Sequence, residues 1–244
     1  FQRPINDTWT AGAAIGYESV NYHDIDGTRA GTNGEGVTLG ATINRDFHGG
    51  GILAATLSGG WMKYDTVRLI NVFEPQVAVS EPEAGYVELR VRSGLMTEFD
   101  NGFYILPRAD VRCPDRIHKG FSEAGADGIG MRSDGDRDWM VSGSPAVEFG
   151  WTRAYEDGRE FRASATFGGR LHSDDYLGLP MSFAEAPAGV IPAIIETQID
   201  QEMYTFDAGI EFIQGDRVNL SFSYRGEYGE TTDNHQAGFQ LGVR

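Results

Sequence analysis

Charged side chains alternate with apolar ones in several segments of this chain, and these charged residues are the ones most able to do chemistry. In one segment Arg90 and Arg92 alternate with Leu89 and Val91. The side-chain period of a strand is two, so such a segment has one charged face and one apolar face. The same reasoning predicts that the following residues line a wet interior: Glu88, Arg90, Arg92, Arg108, Asp110, Arg112, Arg162, Arg170, Asp207, Glu211, Arg225 and Glu227. They could pair to stabilise a wall, or they could shape the electric field of a pore, and both interpretations stay open.

Two stretches have acidic residues at spacings that could suit a metal ion. Residues 134–138 begin like a calcium-binding loop, but an EF-hand needs Gly at the sixth position and Glu at the twelfth. Those positions hold Trp139 and Pro145, so a solvated turn is favoured. His23 stands beside two aspartates, Asp24 and Asp26, where a polar external loop is favoured over a metal site. The sequence therefore predicts no metal site.

Nucleophile patterns are equally weak. Ser144 stands in Gly-Ser-Pro rather than in a G-x-S-x-G elbow. Cys113 is the single cysteine, which excludes an internal disulfide, and it is expected to face lipid on a strand. His118, His172 and His235 lie near strand ends without the spacing of a zinc site. We expect no catalytic residue, no cofactor and no enzyme activity.

Composition narrows the class of protein further. The chain has 244 residues and a formal net charge of −16, which argues against binding to nucleic acid. No apolar stretch approaches the ~18 residues of a transmembrane helix. The mean hydropathy of −0.34 suits a β-barrel, because only alternate residues of its strands face lipid. The first residues, Phe1 to Pro4, do not have the basic start and apolar run of a signal peptide, so an exported chain is expected to be a mature form or a C-terminal fragment.

Alternation recurs along nearly the whole chain, and it predicts a single domain over residues 1–244. The fold class is all-β, an antiparallel transmembrane β-barrel of about 12 strands. The expected strands are 8–22, 34–46, 50–65, 84–99, 102–116, a weaker 120–132, 138–155, 158–172, and three C-terminal segments within 203–244. A short strand near 180–187 would make the strand number even.

Connections and aromatic residues support the barrel. Residues 100–102, 156–158 and 214–217 have the Asn, Asp and Gly chemistry of tight turns, whereas 66–83 and 174–199 are long. Trp and Tyr near strand ends are typical of the aromatic belts at membrane interfaces. The alternative is a soluble sandwich, but its core would have to bury the many charges of the polar face.

Several C-terminal segments resemble the translocator domain of bacterial autotransporters, the type V secretion family. They are 182–189 (SFAEAPAG), 206–211 (FDAGIE) and 220–229 (LSFSYRGEYG), and the stretch 120–126 (GFSEAGA) is similar to a mid-barrel segment of that family. Two features depart from the family pattern. The helix that usually precedes the first strand is missing, and the chain stops at Arg244 rather than at an aromatic residue.

The resemblance implies a twelve-stranded barrel in the outer membrane of a Gram-negative bacterium, which anchors and helps to export an N-terminal passenger. It also implies outer-membrane lipid and lipopolysaccharide, the outer-membrane assembly machinery and the chain's own passenger segment as partners. A porin-like diffusion channel without a passenger is the alternative function. An outer-membrane barrel enzyme is a third possibility, for which the chain shows no catalytic set.

Overall fold

The computed structural model describes residues 1–23, 30–71, 74–187, 189–214 and 218–243. Sixteen strands run through these residues, and every pairing between them is antiparallel. The strands are β1 (Gln2–Pro4), β2 (Trp9–His23), β3 (Gly31–Phe47), β4 (Gly51–Asn71), β5 (Pro75–Ser80), β6 (Glu83–Leu95), β7 (Thr97–Glu98), β8 (Phe103–Ser122), β9 (Met131–Trp139), β10 (Ser142–Ala154), β11 (Arg159–His172), β12 (Tyr176–Phe183), β13 (Ala193–Gln198), β14 (Glu202–Gln214), β15 (Val218–Tyr228) and β16 (Asp233–Val243). In this part of the chain no helix is long and apolar enough to cross a membrane.

Long strands form one continuous meander. The pairing order is β1-β2-β3-β4-β6-β8-β10-β11-β14-β15-β16, so each long strand pairs with the next long strand along the chain. Apart from β1, the strands of this path have between 11 and 21 residues. A strand of about ten residues, tilted by about 45°, crosses an apolar layer of about 25 Å. The meander therefore has strands long enough to span a membrane.

Register explains why one face of the sheet is oily. Residues directly opposite each other in an antiparallel pair point to the same face. Phe161 lies opposite Phe212, which lies opposite Leu220, which in turn lies opposite Leu241. We call this side of the sheet the apolar face and the opposite side the polar face.

The apolar face is not buried by the rest of the protein. Ile15 is 79% exposed and Phe239 is 70% exposed. The only apolar cluster of buried residues found in the described ranges is small, with Ile70, Ala78 and Ala126 at its centre. Contiguous apolar surface on this scale requires an apolar solvent or a partner, which lipid supplies.

Turns at one end of the meander are short. The β3–β4 turn contains Gly49 and Gly50, with φ of 95° and 85°, a region that glycine adopts without strain. Gly102 and Gly158 have φ of 80° and 79° in the next two turns at the same end. The predicted turn at 214–217 joins β14 to β15 at this end, but its residues 215–217 lie outside the described residues. The connections at the opposite end include the longest in the chain, the residues between β11 and β14.

Additional strands extend the sheet at the long-loop end. β5 pairs with the end of β4, β9 pairs with the end of β8, and β12 pairs with both β9 and β13. A bridge between Val79 and Ala124 joins two of these extensions. We call these additional strands, β5, β9, β12 and β13, the cap.

Three details of the predicted strand map were wrong. Residues 120–132 are not one strand but the end of β8, a turn and the start of β9. Residues 66–83 are mostly the end of β4 and β5 rather than a long loop. The short strand expected near 180–187 is β12, which ends at Phe183 and lies off the main path. Because β12 lies outside the main path, the tight turn at 156–158 falls at the same end of the meander as the turns of Gly49, Gly50 and Gly102.

Candidate functional site

All the predicted charged residues lie on the polar face of the sheet. On β6 and β8, Arg92 lies opposite Asp110. Glu88 lies opposite Pro114, which is two residues beyond Arg112 on β8 and therefore on the same face. On β11, β14 and β15 the register aligns Arg162 with Glu211 and Asp207 with Arg225. Strands that are far apart in sequence thus bring their charged residues onto one surface.

Asp110 on β8 is the centre of an arginine cluster, which we define as Arg90, Arg92, Arg112 and Arg170. The Asp110 Oδ2 accepts hydrogen bonds from Arg90 Nε at 2.7 Å and from Arg92 Nε at 3.2 Å. Arg112 Nε lies 3.6 Å from the other carboxylate oxygen. Asp110 is 7% exposed, and one cavity on the polar face is lined by Asp110 and by all four arginines. A single buried carboxylate therefore serves three guanidinium groups.

Other charges of the polar face, mainly on β10, β11, β14 and β15, form pairs, which we call the ion-pair ladder. Arg225 Nε donates to Asp207 at 2.6 Å, and Arg162 lies 3.4 Å from Glu211 and 2.6 Å from Glu160. Here each arginine is matched by at least one carboxylate, so the ladder is close to neutral. Two of its side chains, Arg225 and Arg162, are 60% and 52% exposed, whereas Arg90 of the cluster is 30% exposed.

Glu148 on β10 belongs to the ladder, although it was absent from the predicted set. It accepts hydrogen bonds from Tyr104 Oη at 2.8 Å and from Arg108 Nη1 at 3.0 Å. The signal was present in the sequence, because Glu148 alternates with Val147 and Phe149 as the other charged residues do with their neighbours.

Arg170 and Glu227 connect the two regions. Arg170 Nη2 donates to Glu227 at 2.7 Å across β14, which lies between their strands. Both residues line the same cavity as the arginine cluster. The polar face is thus charged from β6 to β15.

On the apolar face, aromatic residues mark both ends. Trp9 and Phe47 sandwich the Arg45 guanidinium near the short turns, at 5.1 and 4.4 Å from the ring centroids. Near the cap, Trp61 Nε1 donates to Glu83 at 3.1 Å and Lys119 lies 4.7 Å from the Trp61 ring. Aromatic rings with polar partners at two levels are typical of the two membrane interfaces.

At the long-loop end, Asp200 fastens the β13–β14 connection to the β15–β16 turn. Its carboxylate accepts from Thr231 N and Thr231 Oγ1, each at 2.9 Å, and from Thr232 N at 2.8 Å. Burial raises the pKa of Asp200, but the hydrogen bonds from Thr232 and Thr231 outweigh burial and leave the pKa below its usual value. A side chain at Gly229 would collide with this carboxylate, so glycine is required there.

The structure brings no catalytic set together in its described residues. Ser144 lines the cavity among arginines, and Cys113 is exposed on the apolar face opposite Leu89. The described ranges contain no group of three or more His, Cys, Asp or Glu side chains that could hold a metal ion. The candidate at His23 lies outside the described residues, since Asp24, Asp26 and the side chain of His23 are not among them.

His118, His172 and His235 do not share a site. His118 lies opposite Asp136 in the cap, on β8 and β9. His172 lies opposite Ser142 on the polar face. His235 contacts Tyr224 Oη at 2.6 Å near the end of β16. Each histidine therefore belongs to a different part of the sheet.

An all-β antiparallel meander with a lipid-facing apolar side and a charged side defines the class of transmembrane β-barrels. The autotransporter β-domain family matches residues 1–225, and the chain belongs to that family. Its function is therefore that of an outer-membrane translocator and anchor for a passenger, in type V secretion, and the porin-like alternative is not favoured.

Solved structures support the same fold. The translocator domain of the autotransporter NalP from Neisseria meningitidis has a TM-score of 0.74 at 15% identity, covering 100% of this chain and 78% of that chain. The β-domain of the Bordetella autotransporter BrkA has a TM-score of 0.66 at 18% identity, covering 96% of this chain and 81% of that chain. A comparison with curated proteins found no match.

Proposed function

We propose that the polar face of this chain lines the water-filled lumen through which the translocator acts on its passenger. The observation that carries this proposal is the convergence of charged residues from β6 to β15 on a single face. The residues proposed to line the lumen are Glu88, Arg90, Arg92, Arg108, Asp110, Arg112, Arg162, Arg170, Asp207, Glu211, Arg225 and Glu227. Charges on this scale are stable facing water or each other, and they would be costly against lipid.

Thiol labelling tests the lumen directly. In a Cys113→Ser background, single cysteines replace Ser223 and Phe222, which are neighbours on β15 with opposite directions. A charged, water-soluble methanethiosulfonate is added to the protein in lipid vesicles. We expect Ser223→Cys to react and Phe222→Cys to be protected by lipid.

A second pair on another strand provides the control. Ala146→Cys should react because Ala146 lines the cavity, and Val147→Cys on the same strand should not. Reaction at Phe222→Cys and Val147→Cys, with protection of their neighbours, would exchange the two faces and refute the proposal.

The localisation and the partners form the finer part of this proposal. The chain lies in the outer membrane of a Gram-negative bacterium, with the cap outside and the tight turns in the periplasm. It contacts outer-membrane lipid and lipopolysaccharide through the apolar face, is inserted by the outer-membrane assembly machinery, and carries its own passenger. Residues 1–244 act as one domain without enzyme activity. The support is the asymmetry between tight turns at one end and long connections at the other, which is the outer-membrane pattern.

A glutamate-specific protease tests the orientation on intact cells. Glu185 follows β12 in the long connection, and Glu156 stands in the tight β10–β11 turn. Cleavage after Glu185 is expected from outside, and cleavage after Glu156 only once the outer membrane is opened. Cleavage after Glu156 in intact cells would reverse the orientation. Replacement of Glu185 by Gln shows which bond is cut.

A further inference from the structure

We propose that the arginine cluster is a binding site for a small oxyanion, with inorganic phosphate as its probe, and that it gives the lumen a preference for anions. The inference rests on the lumen placement proposed above. It concerns one part of the lumen only, the cavity around Asp110, which Arg162 and its partners Glu160 and Glu211 do not line.

Two like charges face each other at the centre of the cluster. Arg90 on β6 lies directly opposite Arg112 on β8. Like charges directly opposite across a strand pair destabilise a sheet. Asp110 offsets only part of this repulsion, because one carboxylate faces three guanidinium groups: its Oδ2 accepts from Arg90 and Arg92, and its Oδ1 lies 3.6 Å from Arg112 Nε without a hydrogen bond. Without a ligand this pair of arginines therefore destabilises the sheet, and a bound anion would reduce the repulsion between the two guanidinium groups.

Several buried nitrogen atoms in this region have no hydrogen-bond partner within the described residues. They are the guanidinium nitrogens Arg112 Nε, Arg116 Nη1 and Arg170 Nε, and the ring nitrogen His172 Nδ1. Arg112 and His172 lie on either side of Ser142 on adjacent strands, so these two side chains lie close together. A buried polar atom without a hydrogen bond destabilises the protein, and such atoms need a partner.

Charge balance separates this region from the rest of the polar face. Arg90, Arg92 and Arg112 share one carboxylate, whereas in the ladder Arg162 alone lies near two, Glu160 and Glu211. Glu227 pairs with Arg170, but the cavity as a whole is still lined by six arginines and only three carboxylates, in a chain whose formal net charge is −16. Rings of arginine in a pore favour anions, since the local field attracts them and repels cations.

Guanidinium chemistry points to an oxyanion rather than to a halide. Each arginine has five N–H donors in a planar fork that matches two oxygens of a phosphate. Asp110 accepts from the Nε–H of Arg90 and of Arg92, which leaves other N–H groups of these forks for a ligand, and both side chains line the cavity. Several forks around one cavity can together hold a doubly charged oxyanion.

Equilibrium dialysis of labelled inorganic phosphate against the detergent-solubilised, full-length protein tests the site. We expect one saturable site in the unmodified protein. Arg112→Gln should raise the dissociation constant at least about tenfold, as expected for the loss of a charge-assisted contact. Arg162→Gln, which removes the same charge from the ladder, should leave phosphate binding unchanged.

Planar-bilayer recording provides the second readout. With a potassium chloride gradient, the zero-current potential should show chloride preference, and Arg112→Gln combined with Arg170→Gln should shift it towards potassium. Labelling of Ser223→Cys in each variant reports whether the barrel is folded and whether its lumen is accessible to water. A labelled lumen without phosphate binding, or with equal loss in Arg162→Gln, would overturn the oxyanion site and leave the lumen intact. Labelling at Phe222→Cys in place of Ser223→Cys would overturn both proposals.

Discussion

The apolar and polar faces of the same strands are stabilised by opposite means. On the apolar face, side chains such as Ile15 and Phe239 remain exposed because no second layer covers them. On the polar face, Asp110 is buried although it is charged, because arginines surround it. A soluble protein would show the reverse, with oily groups inside and charges outside. The difference teaches that lipid takes the place of a hydrophobic core here, and that charge pairing organises the polar face.

The largest effect is expected from a charge on the apolar face. Phe222 lies opposite Ile210 and Phe239, midway along three strands. Phe222→Arg should destabilise the membrane-inserted state by about 2–4 kcal/mol, because a cation near the bilayer midplane is poorly solvated. Heat-modifiable mobility on a gel and urea unfolding in lipid vesicles measure this.

The matched control for that variant is Ser223→Arg, one residue further along β15. Ser223 faces Gly209 and Gly238 on the polar face, so a new side chain has room and water. We expect it to fold nearly as well as the unmodified chain. If Ser223→Arg were the more damaging of the two, the register of β15 would be shifted by one residue.

A smaller effect is expected within the polar face. Asp110→Asn removes the carboxylate that Arg90, Arg92 and Arg112 share and should cost about 1–2 kcal/mol in unfolding free energy, since the arginines around it are partly exposed and screened. Asp207→Asn breaks one exposed pair of the ladder and should cost less than about 1 kcal/mol. Urea unfolding of both variants at low and high salt compares them. Equal losses would contradict the distinction between the cluster and the ladder.

The smallest effect concerns a charge that lies on neither face. Asp200→Asn should loosen the β15–β16 turn without affecting membrane insertion, because the hydrogen bonds of Asp200 go to Thr231 and Thr232 in that turn. Hydrogen exchange of the Thr231 and Thr232 amides, corrected for intrinsic rates, measures the loosening.

The same exchange experiment has a pH dependence with a definite sign. Hydrogen bonding holds the pKa of Asp200 below its usual value, so protection is complete above about pH 4 and is lost as the pH falls through that lowered pKa. The Asn variant should show no such loss. Asp174→Asn, an exposed carboxylate of the neighbouring segment, is the control and should leave the amides protected. Protection in the unmodified chain that rises on acidification would contradict this assignment.

Much of this fold could be predicted from local patterns. Alternation is a property of each strand by itself, and it correctly gave the all-β barrel and the separation of β14, β15 and β16 into two faces. Glu148 was missed although its strand alternates as clearly as the others. The errors were at the long-loop end, where 120–132 was taken as one strand, because glycine-rich turns and strand ends have weak periodicity.

The sequence by itself determined the alternation, the tight turns and the resemblance to autotransporter translocators, since each depends on neighbouring residues. Only the tertiary structure decided which charges meet. Arg90 and Arg112 are far apart along the chain, and nothing local specifies that they lie opposite each other or that Asp110 lies between three arginines. Pairing across strands depends on register, and register is set by the whole sheet through its turns and its apolar face. The oxyanion site proposed here is therefore a product of register rather than of any motif.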